Sequence, residues 1–251
     1  MRFSNQKIAV TGGAGEIGTR IVAQLLAEGA AVTVLDRQAP SRAGAGHIPC
    51  DLADPAGLER LAAAMGGSAW DVLINLAGVQ YFGPMEGESP DSLRRTLAIN
   101  LLAPMRLAQA VAPGMRARGC GQIVNIGSIF GSINFAHFAS YSSSKAGLRA
   151  FSQALRRELA GSGVDVTYIA PRAVKTAFNS PKVVQFAAIT KTAMDDPDMV
   201  AGRIVDAIAA RRTDVYLGFP EAFFVRLNAL FPALVDRALA ADDRKVSRLF
   251  A

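Results

Sequence analysis

The sequence predicts an α/β fold built around a parallel sheet. Short apolar stretches of β character alternate along the chain with stretches of helical periodicity. Strands separated by helices of about 10 or more residues imply crossover connections, and therefore parallel strands. The strand segments are apolar almost throughout, which is typical of a sheet that helices cover on both faces.

The predicted elements follow one another in a regular order. Strands are expected at residues 7–11, 31–36, 47–50, 71–78, 122–128, 164–171 and 214–219. Helices are expected near residues 17–28, 55–65, 89–115, 140–160 and 198–211. The stretch 172–197 is predicted to be an irregular substrate loop, because long loops in compact domains are often binding loops. Residues 1–251 are expected to form a single domain.

Composition narrows the range of partners. The formal net charge is +6, but the Lys and Arg residues are scattered without a run of four, so a nucleic-acid partner is not expected. Cys50 and Cys120 suggest no disulfide framework, and with His47 and His137 they show no metal spacing, so no metal site is predicted. The polar N-terminal residues and the absence of a long apolar run favour a cytoplasmic protein.

The segment TGGAGEIG at residues 11–18 joins the first strand to the first helix. Unpaired N–H groups and the helix dipole attract an anion at such a helix start, and glycine lets a phosphate approach the backbone. Gly13, Gly15 and Gly18 fit the pattern GxGxxG, and a glycine-rich surface turn is the alternative. The predicted contacts to a dinucleotide cofactor from this turn are Gly12, Gly13, Gly15, Glu16, Ile17 and Gly18.

Asp36 ends the second predicted strand, at the position where a carboxylate can accept hydrogen bonds from ribose hydroxyls. It would repel the 2′-phosphate of NADP, so NAD is the favoured cofactor. Arg37 is adjacent and could hold that phosphate, which keeps NADP open.

The segment YSSSK at residues 141–145 supplies a proton donor. Tyr141 and Lys145 are four residues apart at a helix start, so they share one face. An ammonium near the phenol, together with an oxidised nicotinamide, favours the phenolate and is expected to lower the Tyr141 pKa toward neutrality. Ser128 ends the preceding strand, where its hydroxyl can hold a substrate oxygen, and Asn100 is a polar interruption of the long helix 89–115.

Together these residues resemble the short-chain dehydrogenase/reductase family over about residues 6–218. The motifs are the glycine turn, Asp36, CDL at 50–52, NLAG at 75–78, Asn100, Ser128, YSSSK and PRAVKT at 171–176. The resemblance implies a Rossmann-type, doubly wound sheet of about seven parallel strands with helices on both faces. It also implies a homodimer or homotetramer formed through the two long helices.

The resemblance implies a catalytic tetrad of Asn100, Ser128, Tyr141 and Lys145. Tyr141 would be the general acid/base, Ser128 would orient the substrate, and Lys145 would bind the ribose and lower the Tyr141 pKa. Asn100 would hold a water that links Lys145 to solvent. The remaining implied cofactor contacts are Asp51 and Leu52 beside adenine, Asn75, Ala77 and Gly78 after the fourth strand, and Pro171, Val174 and Thr176 near the carboxamide.

Three positions depart from the family pattern. Glu16 stands where short members have glycine, and the resulting spacing is more typical of the sugar-nucleotide branch. Its side chain is expected to turn outward, away from the pyrophosphate. Leu76 replaces an amide in NLAG, and Arg172 replaces a glycine, with either the substrate mouth or solvent as its expected surroundings.

Aromatic residues gather in the segments expected around the substrate, and they suggest an apolar or bulky small-molecule substrate. They are Tyr81, Phe82, Phe130, Phe135, Phe138, Phe178 and Phe186. Residues 219–250 form a predicted amphipathic helical segment, in which Arg226 and Arg237 lie beside one apolar stripe. This segment is expected to pack on its own domain or a partner subunit, with peripheral membrane contact as the alternative. The stripe consists of Phe223, Phe224, Leu227, Leu230, Phe231, Leu234 and Val235.

The leading functional hypothesis is an NAD(P)-dependent oxidoreductase that interconverts a secondary alcohol and a ketone. A sugar-nucleotide epimerase or dehydratase is the alternative that TGGAGEIG favours, although only about 30 residues follow the last predicted strand and leave little room for the substrate region of such enzymes. A non-catalytic dinucleotide sensor is the third hypothesis, and it would be expected to lack Tyr141 or Lys145.

Overall fold

In the computed structural model, which describes residues 1–250, the strands form one parallel sheet. Its spatial order is β3-β2-β1-β4-β5-β6-β7, seven strands within the described residues, and this confirms the predicted doubly wound α/β fold. The strands are β1 (Lys7–Thr11), β2 (Ala31–Asp36), β3 (Gly46–Pro49), β4 (Val72–Asn75), β5 (Gly121–Ile126), β6 (Val164–Ala170) and β7 (Asp214–Tyr216).

Helices cover both faces of this sheet. They are α1 (Glu16–Ala27), α2 (Pro55–Gly66), α3 (Pro90–Leu97), α4 (Ala103–Arg118), α5 (Ala139–Glu158), α6 (Pro181–Ile189), α7 (Pro197–Ala209), α8 (Glu221–Leu230) and α9 (Pro232–Ser247). The apolar side chains of α1 and α7 pack on one face, while those of α2, α4 and α5 pack on the other. The fully buried strands explain why their sequences are apolar at successive positions.

Four helices begin with the same two-residue signal. A Ser or Asp side chain accepts hydrogen bonds from the first free N–H groups, and a proline follows at the position where its missing N–H costs nothing. The pairs are Asp54–Pro55, Ser89–Pro90, Ser180–Pro181 and Asp196–Pro197.

Three predicted segments differ from the structure. The predicted helix 89–115 is α3, a π-helical turn at Ala98–Leu102 and α4, in one continuous run. The predicted irregular loop 172–197 contains α6. The C-terminal segment is two helices, because Pro232 begins a new helix after Phe231, whose backbone is not helical, and the single apolar stripe predicted there is therefore wrong.

The structure gives no candidate for a transmembrane helix: no helix in the range 1–250 has the length and apolar character that crossing a bilayer requires.

Candidate active site

A cavity of about 450 Å³ opens at the carboxyl ends of the central strands. Ligands of open parallel sheets bind at this edge, where neighbouring crossovers leave a crevice. Most of the predicted catalytic and cofactor-binding residues line this cavity. They are Gly12, Gly15, Glu16, Ile17, Gly18, Asp36, Arg37, Asp51, Leu52, Ala77, Gly78, Ser128, Tyr141, Lys145, Pro171, Val174 and Thr176. Gly13, Asn75 and Asn100 are not among the lining residues.

The glycine turn is packed too closely for side chains. A Cβ atom on Gly18 would lie 2.2 Å from the carbonyl oxygen of Gly12. Gly12 itself has a φ of +69°, and a Cβ there would lie 2.8 Å from Cα of Ala77. Gly13 faces Val34 on β2, so it packs against the sheet and does not line the cavity. The backbone at the start of α1 is thus left open to the cavity, which fits a pyrophosphate.

Asp36 lies at the carboxyl end of β2, beside the glycine turn. Its Oδ2 accepts a hydrogen bond from the backbone N–H of Ala14 at 3.2 Å, and its Oδ1 accepts one from Gln38 at 3.1 Å. The carboxylate and the adjacent Arg37 both line the cavity. Asp36 and Arg37 therefore face the same cavity as the glycine turn, as the sequence predicts.

Ser128, Tyr141 and Lys145 meet in the interior of the cavity. Tyr141 and Lys145 lie on one face of the first turns of α5 and are 7% and 4% exposed. The Lys145 Nζ donates a hydrogen bond to the carbonyl oxygen of Ile126 at 3.0 Å, and it lies 5.9 Å from the centroid of the Tyr141 ring. Ser128 caps the short turn after β5, where its Oγ accepts a hydrogen bond from the Phe130 N–H at 3.1 Å.

Burial shifts the pKa values of both titratable side chains. Burial raises the pKa of Tyr141 to about 12, and a side-chain hydrogen bond with Ser128 opposes that rise. Burial lowers the pKa of Lys145 to about 8. The expected fall of the Tyr141 pKa is therefore not found in the protein alone, because removal from water disfavours the charged form of each side chain.

Asn100 lies in the π-helical turn, a feature frequent at functional sites. Its Oδ1 accepts a hydrogen bond from the Val79 N–H at 2.9 Å, and its Nδ2 donates to the Val79 carbonyl at 2.8 Å. The same Nδ2 donates to Ser144 Oγ at 3.0 Å, and Ser144 donates in turn to the carbonyl of Tyr141 at 2.7 Å. Asn100 thus joins the loop after β4 to the helix that carries Tyr141, from behind the cavity.

Asn75 is a correction to the predicted cofactor contacts. Its side chain is buried under the sheet edge, where Nδ2 donates to Asn125 Oδ1 at 2.8 Å. The following backbone N–H groups of Leu76 and Ala77 both donate to Thr11 Oγ1, at 3.0 and 3.1 Å. The loop after β4 is therefore held by Thr11, and it is Ala77 and Gly78 that reach the cavity.

Glu16 reaches from the glycine turn to the substrate segment. Its Oε2 accepts a hydrogen bond from the backbone N–H of Ala177 at 2.9 Å. The expectation that the side chain turns outward is thus met in part: the carboxylate is exposed, but it has a partner on the opposite wall of the cavity.

Arg172 forms two ion pairs, which neither expectation included, and it differs from the solvent-exposed alternative. Its guanidinium donates to Asp195 at 2.6 Å and to Glu221 at 3.0 Å, and its side chain is only 16% exposed. Arg172 therefore ties the segment after β6 to Asp195, two residues before α7, and to the start of α8, while part of it lines the cavity.

The predicted aromatic residues divide into two layers. Phe130, Phe178 and Phe186 line the cavity, while Phe82, Phe135 and Phe138 pack behind them. Phe82 stacks on Phe138 with ring centroids 4.4 Å apart. Tyr81 stays outside this cluster, and its hydroxyl donates to the Pro84 carbonyl at 3.1 Å.

Sequence reasoning missed several side chains of the site. Gln80 lines the cavity and donates to the Phe178 carbonyl at 2.8 Å, so it fastens the substrate segment to the loop after β4. Ser144 lies inside the YSSSK motif, which could have singled it out. Further missed lining residues are Arg95, Asn179, Val183, Ala187, Thr192 and Met194.

Comparison with known proteins gives consistent matches. A family model described as short chain dehydrogenase matches residues 6–185. The chain is 31% identical to the rat (Rattus norvegicus) dehydrogenase/reductase SDR family member 7B, over 96% of this chain and 82% of that protein. It is 33% identical to the 3-oxoacyl-[acyl-carrier-protein] reductase FabG of Salmonella typhimurium, over 70% of this chain and 76% of that protein.

Solved structures share the fold. A short-chain dehydrogenase from Streptomyces avermitilis superposes with a TM-score of 0.78 at 28% identity, covering 99% of both chains. A short-chain dehydrogenase from Sphingobium yanoikuyae, solved with NADPH, gives 0.76 at 24% identity over 94% of this chain and 96% of its own. Another from Leptospira borgpetersenii, solved with NAD+, gives 0.74 at 24% identity over 85% and 91%. Proteins of this fold thus bind either NAD or NADP.

Proposed function

The chain belongs to the short-chain dehydrogenase/reductase family and is an NAD(P)-dependent oxidoreductase, and we propose that it interconverts a secondary alcohol and a ketone with Tyr141 as general acid/base. The observation that carries this proposal is the meeting of Ser128, Tyr141 and Lys145 in the same cavity as the glycine turn. A dinucleotide held by that turn would extend along the cavity toward these side chains.

The residues present fit a nicotinamide dinucleotide. The glycine turn leaves the N-terminus of α1 open to a pyrophosphate, and Asp36 offers its carboxylate to ribose hydroxyls. We favour NAD as the cofactor, with NADP as the alternative, because the Asp36 carboxylate would repel a 2′-phosphate that Arg37 alone would have to hold. When bound, the nicotinamide ring supplies or accepts the hydride at the substrate carbon.

The chain's own residues handle the proton. In the direction of reduction, the Tyr141 hydroxyl gives its proton to the substrate oxygen, while the Ser128 hydroxyl donates a hydrogen bond that orients the same oxygen. In the direction of oxidation, a Tyr141 phenolate takes the proton from the alcohol. When the Lys145 amine is protonated, its positive charge stabilises that phenolate. The Lys145 pKa of about 8 lets the amine gain or lose a proton near neutral pH.

The substrate is proposed to be apolar or bulky. Beyond Tyr141 the cavity wall includes the apolar residues Phe130, Phe178, Val183, Phe186 and Met194, and a second aromatic layer stands behind it. Such a wall offers dispersion contacts and few hydrogen-bond partners, so it suits a hydrocarbon portion better than a sugar. This favours the ketone reductase over the sugar-nucleotide epimerase or dehydratase, and the presence of Tyr141 and Lys145 in the cavity favours an enzyme over a non-catalytic sensor.

The proposal also covers assembly and location. A homodimer or homotetramer would form through α4 and α5, and the exposed Leu102 and Met105 at the start of α4 suit such an interface. A cytoplasmic location fits the unpaired Cys50 and Cys120, which a reducing compartment keeps as thiols. Residues 219–250 are proposed to pack on their own domain or on a partner subunit, with peripheral contact with a membrane as the alternative.

A substrate panel tests the proposed reaction. Purified protein is mixed with NADH or NADPH and with ketones of increasing apolar size, and the loss of absorbance of the reduced cofactor is followed. We expect NADH to be oxidised faster than NADPH, and the bulkiest apolar ketones to give the highest kcat/KM. Turnover of nucleotide sugars in place of ketones would contradict the proposal.

A further inference from the structure

The outer surface of α8 and α9 carries a group of large apolar side chains that face solvent. Phe219 is 81% exposed, Leu230 is 73% exposed and Phe231 is 58% exposed. Phe223, Phe224 and Leu234 complete the group, which we call the apolar patch. Six exposed large apolar side chains within residues 219–234 mark an interaction site more often than a single exposed residue does.

The side chains of the apolar patch do not contribute to the packing of α8 and α9 on the protein. Val225 and Val235 are buried, and they pack against Ile129 and Ile133 in the segment that follows Ser128. On α8, Phe223, Arg226 and Leu230 recur at helical spacing on the side that faces away from these contacts. The apolar side chains of the patch are therefore left over after the helices have packed.

A row of basic side chains continues the same outer surface along α9. Arg237, Arg244, Lys245 and Arg248 are exposed and recur at helical spacing, so they lie on one face. Of the acidic residues of α9, Asp242 and Asp243 are half-buried, whereas Asp236 is exposed and lies about 100° around the helix from Arg237. We call these four cations the basic row.

Most cations of this surface have no acidic partner. Of the basic row, Lys245 pairs with Asp242 at 2.6 Å. Arg226, Arg237 and Arg244 form no ion pair with any residue between positions 1 and 250. Their charges are therefore available to an external anion.

We propose that the apolar patch and the basic row together dock on an anionic lipid surface. Phe and Leu side chains can enter the boundary between headgroups and acyl chains, while Arg and Lys side chains meet anionic headgroups at its edge. The net charge of +6 adds a long-range attraction to the same surface. A two-fold pair formed through this face would instead bring the unpaired cations of two copies close together.

The helix α9, which carries part of the docking surface, also packs against the aromatic cluster behind the cavity wall. The inner side of α9 contributes Val246 to the aromatic cluster around Tyr141, and Leu249 and Phe250 pack against that cluster. Phe250 lies 5.1 Å from Phe82 between ring centroids. If the proposed oxidoreductase function holds, docking places the apolar wall of the cavity beside the lipid phase in which an apolar ketone or alcohol concentrates. This part of the inference rests on the proposed function, whereas the lipid contact itself does not.

Vesicle sedimentation with the full chain tests the docking surface. Wild-type protein is expected to sediment with vesicles that contain anionic phosphatidylglycerol, and much less with pure phosphatidylcholine vesicles. The double variant F223S/L230S should lose most of this binding. R237Q/R244Q should weaken it by roughly 25-fold, because each basic residue near an anionic membrane contributes about fivefold.

Matched controls separate docking from misfolding and from self-association. M85S/M199S removes two exposed apolar side chains outside the patch and should leave vesicle binding unchanged. Thermal unfolding checks that each variant is folded, and gel filtration reports its oligomeric state. Unchanged binding by F223S/L230S, equal binding of wild type to neutral and anionic vesicles, or loss of a dimer in F223S/L230S without any vesicle binding would overturn the proposal. Because sedimentation does not read turnover, failure of the oxidoreductase proposal would appear only in the ketone assay.

Discussion

The carboxylate of Glu16 accepts a hydrogen bond from the backbone N–H of Ala177 at 2.9 Å, and so the glycine turn is joined to the substrate segment across the mouth of the cavity. The contact depends on a residue that replaces the glycine of the short family members. It uses a carboxylate at the start of α1, where the helix dipole favours negative charge. One side chain thus links the wall that would hold the cofactor to the wall that would hold the substrate.

Removing this contact should loosen the substrate segment. We expect Glu16→Ala to raise the KM for the ketone by up to about tenfold, since a hydrogen bond to a charged group contributes about 1.5 kcal/mol. Hydrogen exchange at the Ala177 amide should quicken in the same variant. Glu16→Gln is the matched control, because its side-chain oxygen can still accept the bond. Equal KM values in wild type and Glu16→Ala would contradict this role.

Arg172 should matter for stability through its two carboxylate partners. Arg172→Met leaves Asp195 buried without its ion pair, and we expect the free energy of unfolding to fall by about 3 kcal/mol. Arg94→Met removes an ion pair whose partners are 72% and 91% exposed, and should change the same quantity by less than about 0.5 kcal/mol. Urea denaturation measures both. If Arg172→Met changed the free energy of unfolding as little as Arg94→Met does, the buried ion pairs of Arg172 would contribute nothing to stability.

Lys145 should make stability depend on pH. Its pKa is about 8 in the folded protein and 10.5 ordinarily, so between these values the unfolded chain binds more protons than the folded one. Stability therefore rises with pH in this window, and burial of the charged form costs about 3 kcal/mol below pH 8. The difference in unfolding free energy between wild type and Lys145→Met should shift by that amount from pH 7 to pH 10. Because the variant retains all other titrating groups, a constant difference would contradict the lowered pKa.

Asp36 should determine the choice between the two dinucleotides. Asp36→Asn removes the negative charge but keeps a hydrogen-bonding side chain, and we expect kcat/KM for NADPH to rise relative to NADH by about tenfold or more. Arg37→Gln is the companion variant. It should lower kcat/KM for NADPH and leave kcat/KM for NADH unchanged. Initial rates with each cofactor at low ionic strength check both effects. An unaltered ratio in Asp36→Asn would mean that the carboxylate does not face the ribose.

Much of the fold could be predicted because buried parallel strands have a distinctive sequence. KIAVT is apolar at residues 8–10, and QIVNIGS carries Ile123, Val124 and Ile126. Helices of adequate length separate such strands, so the sheet could be predicted directly. The helix α6 was missed because its apolar residues follow no clear periodicity, although Ser180 followed by Pro181 is a helix-start signal. The break between α8 and α9 at Pro232 could likewise have been read from the proline.

The site was predictable where a motif dictates a local conformation, as at the glycine turn and YSSSK. It was less predictable where a side chain acts over a long sequence distance. The contact from Glu16 to Ala177 and the ion pair from Arg172 to Glu221 join residues that no local pattern relates. The raised pKa of Tyr141 in the protein without cofactor could not be predicted for a related reason, because burial is a property of the whole fold.

The most direct test of the central claim is the turnover of Tyr141→Phe, measured with NADH and the ketone that the wild-type protein reduces fastest. The substitution removes one hydroxyl oxygen from a buried ring, and NADH binding, followed by fluorescence, should be unchanged. We predict that kcat falls at least about 100-fold, because the general acid has been removed. A variant that binds NADH and still reduces the ketone at the wild-type rate would contradict the assignment of Tyr141 as the proton donor.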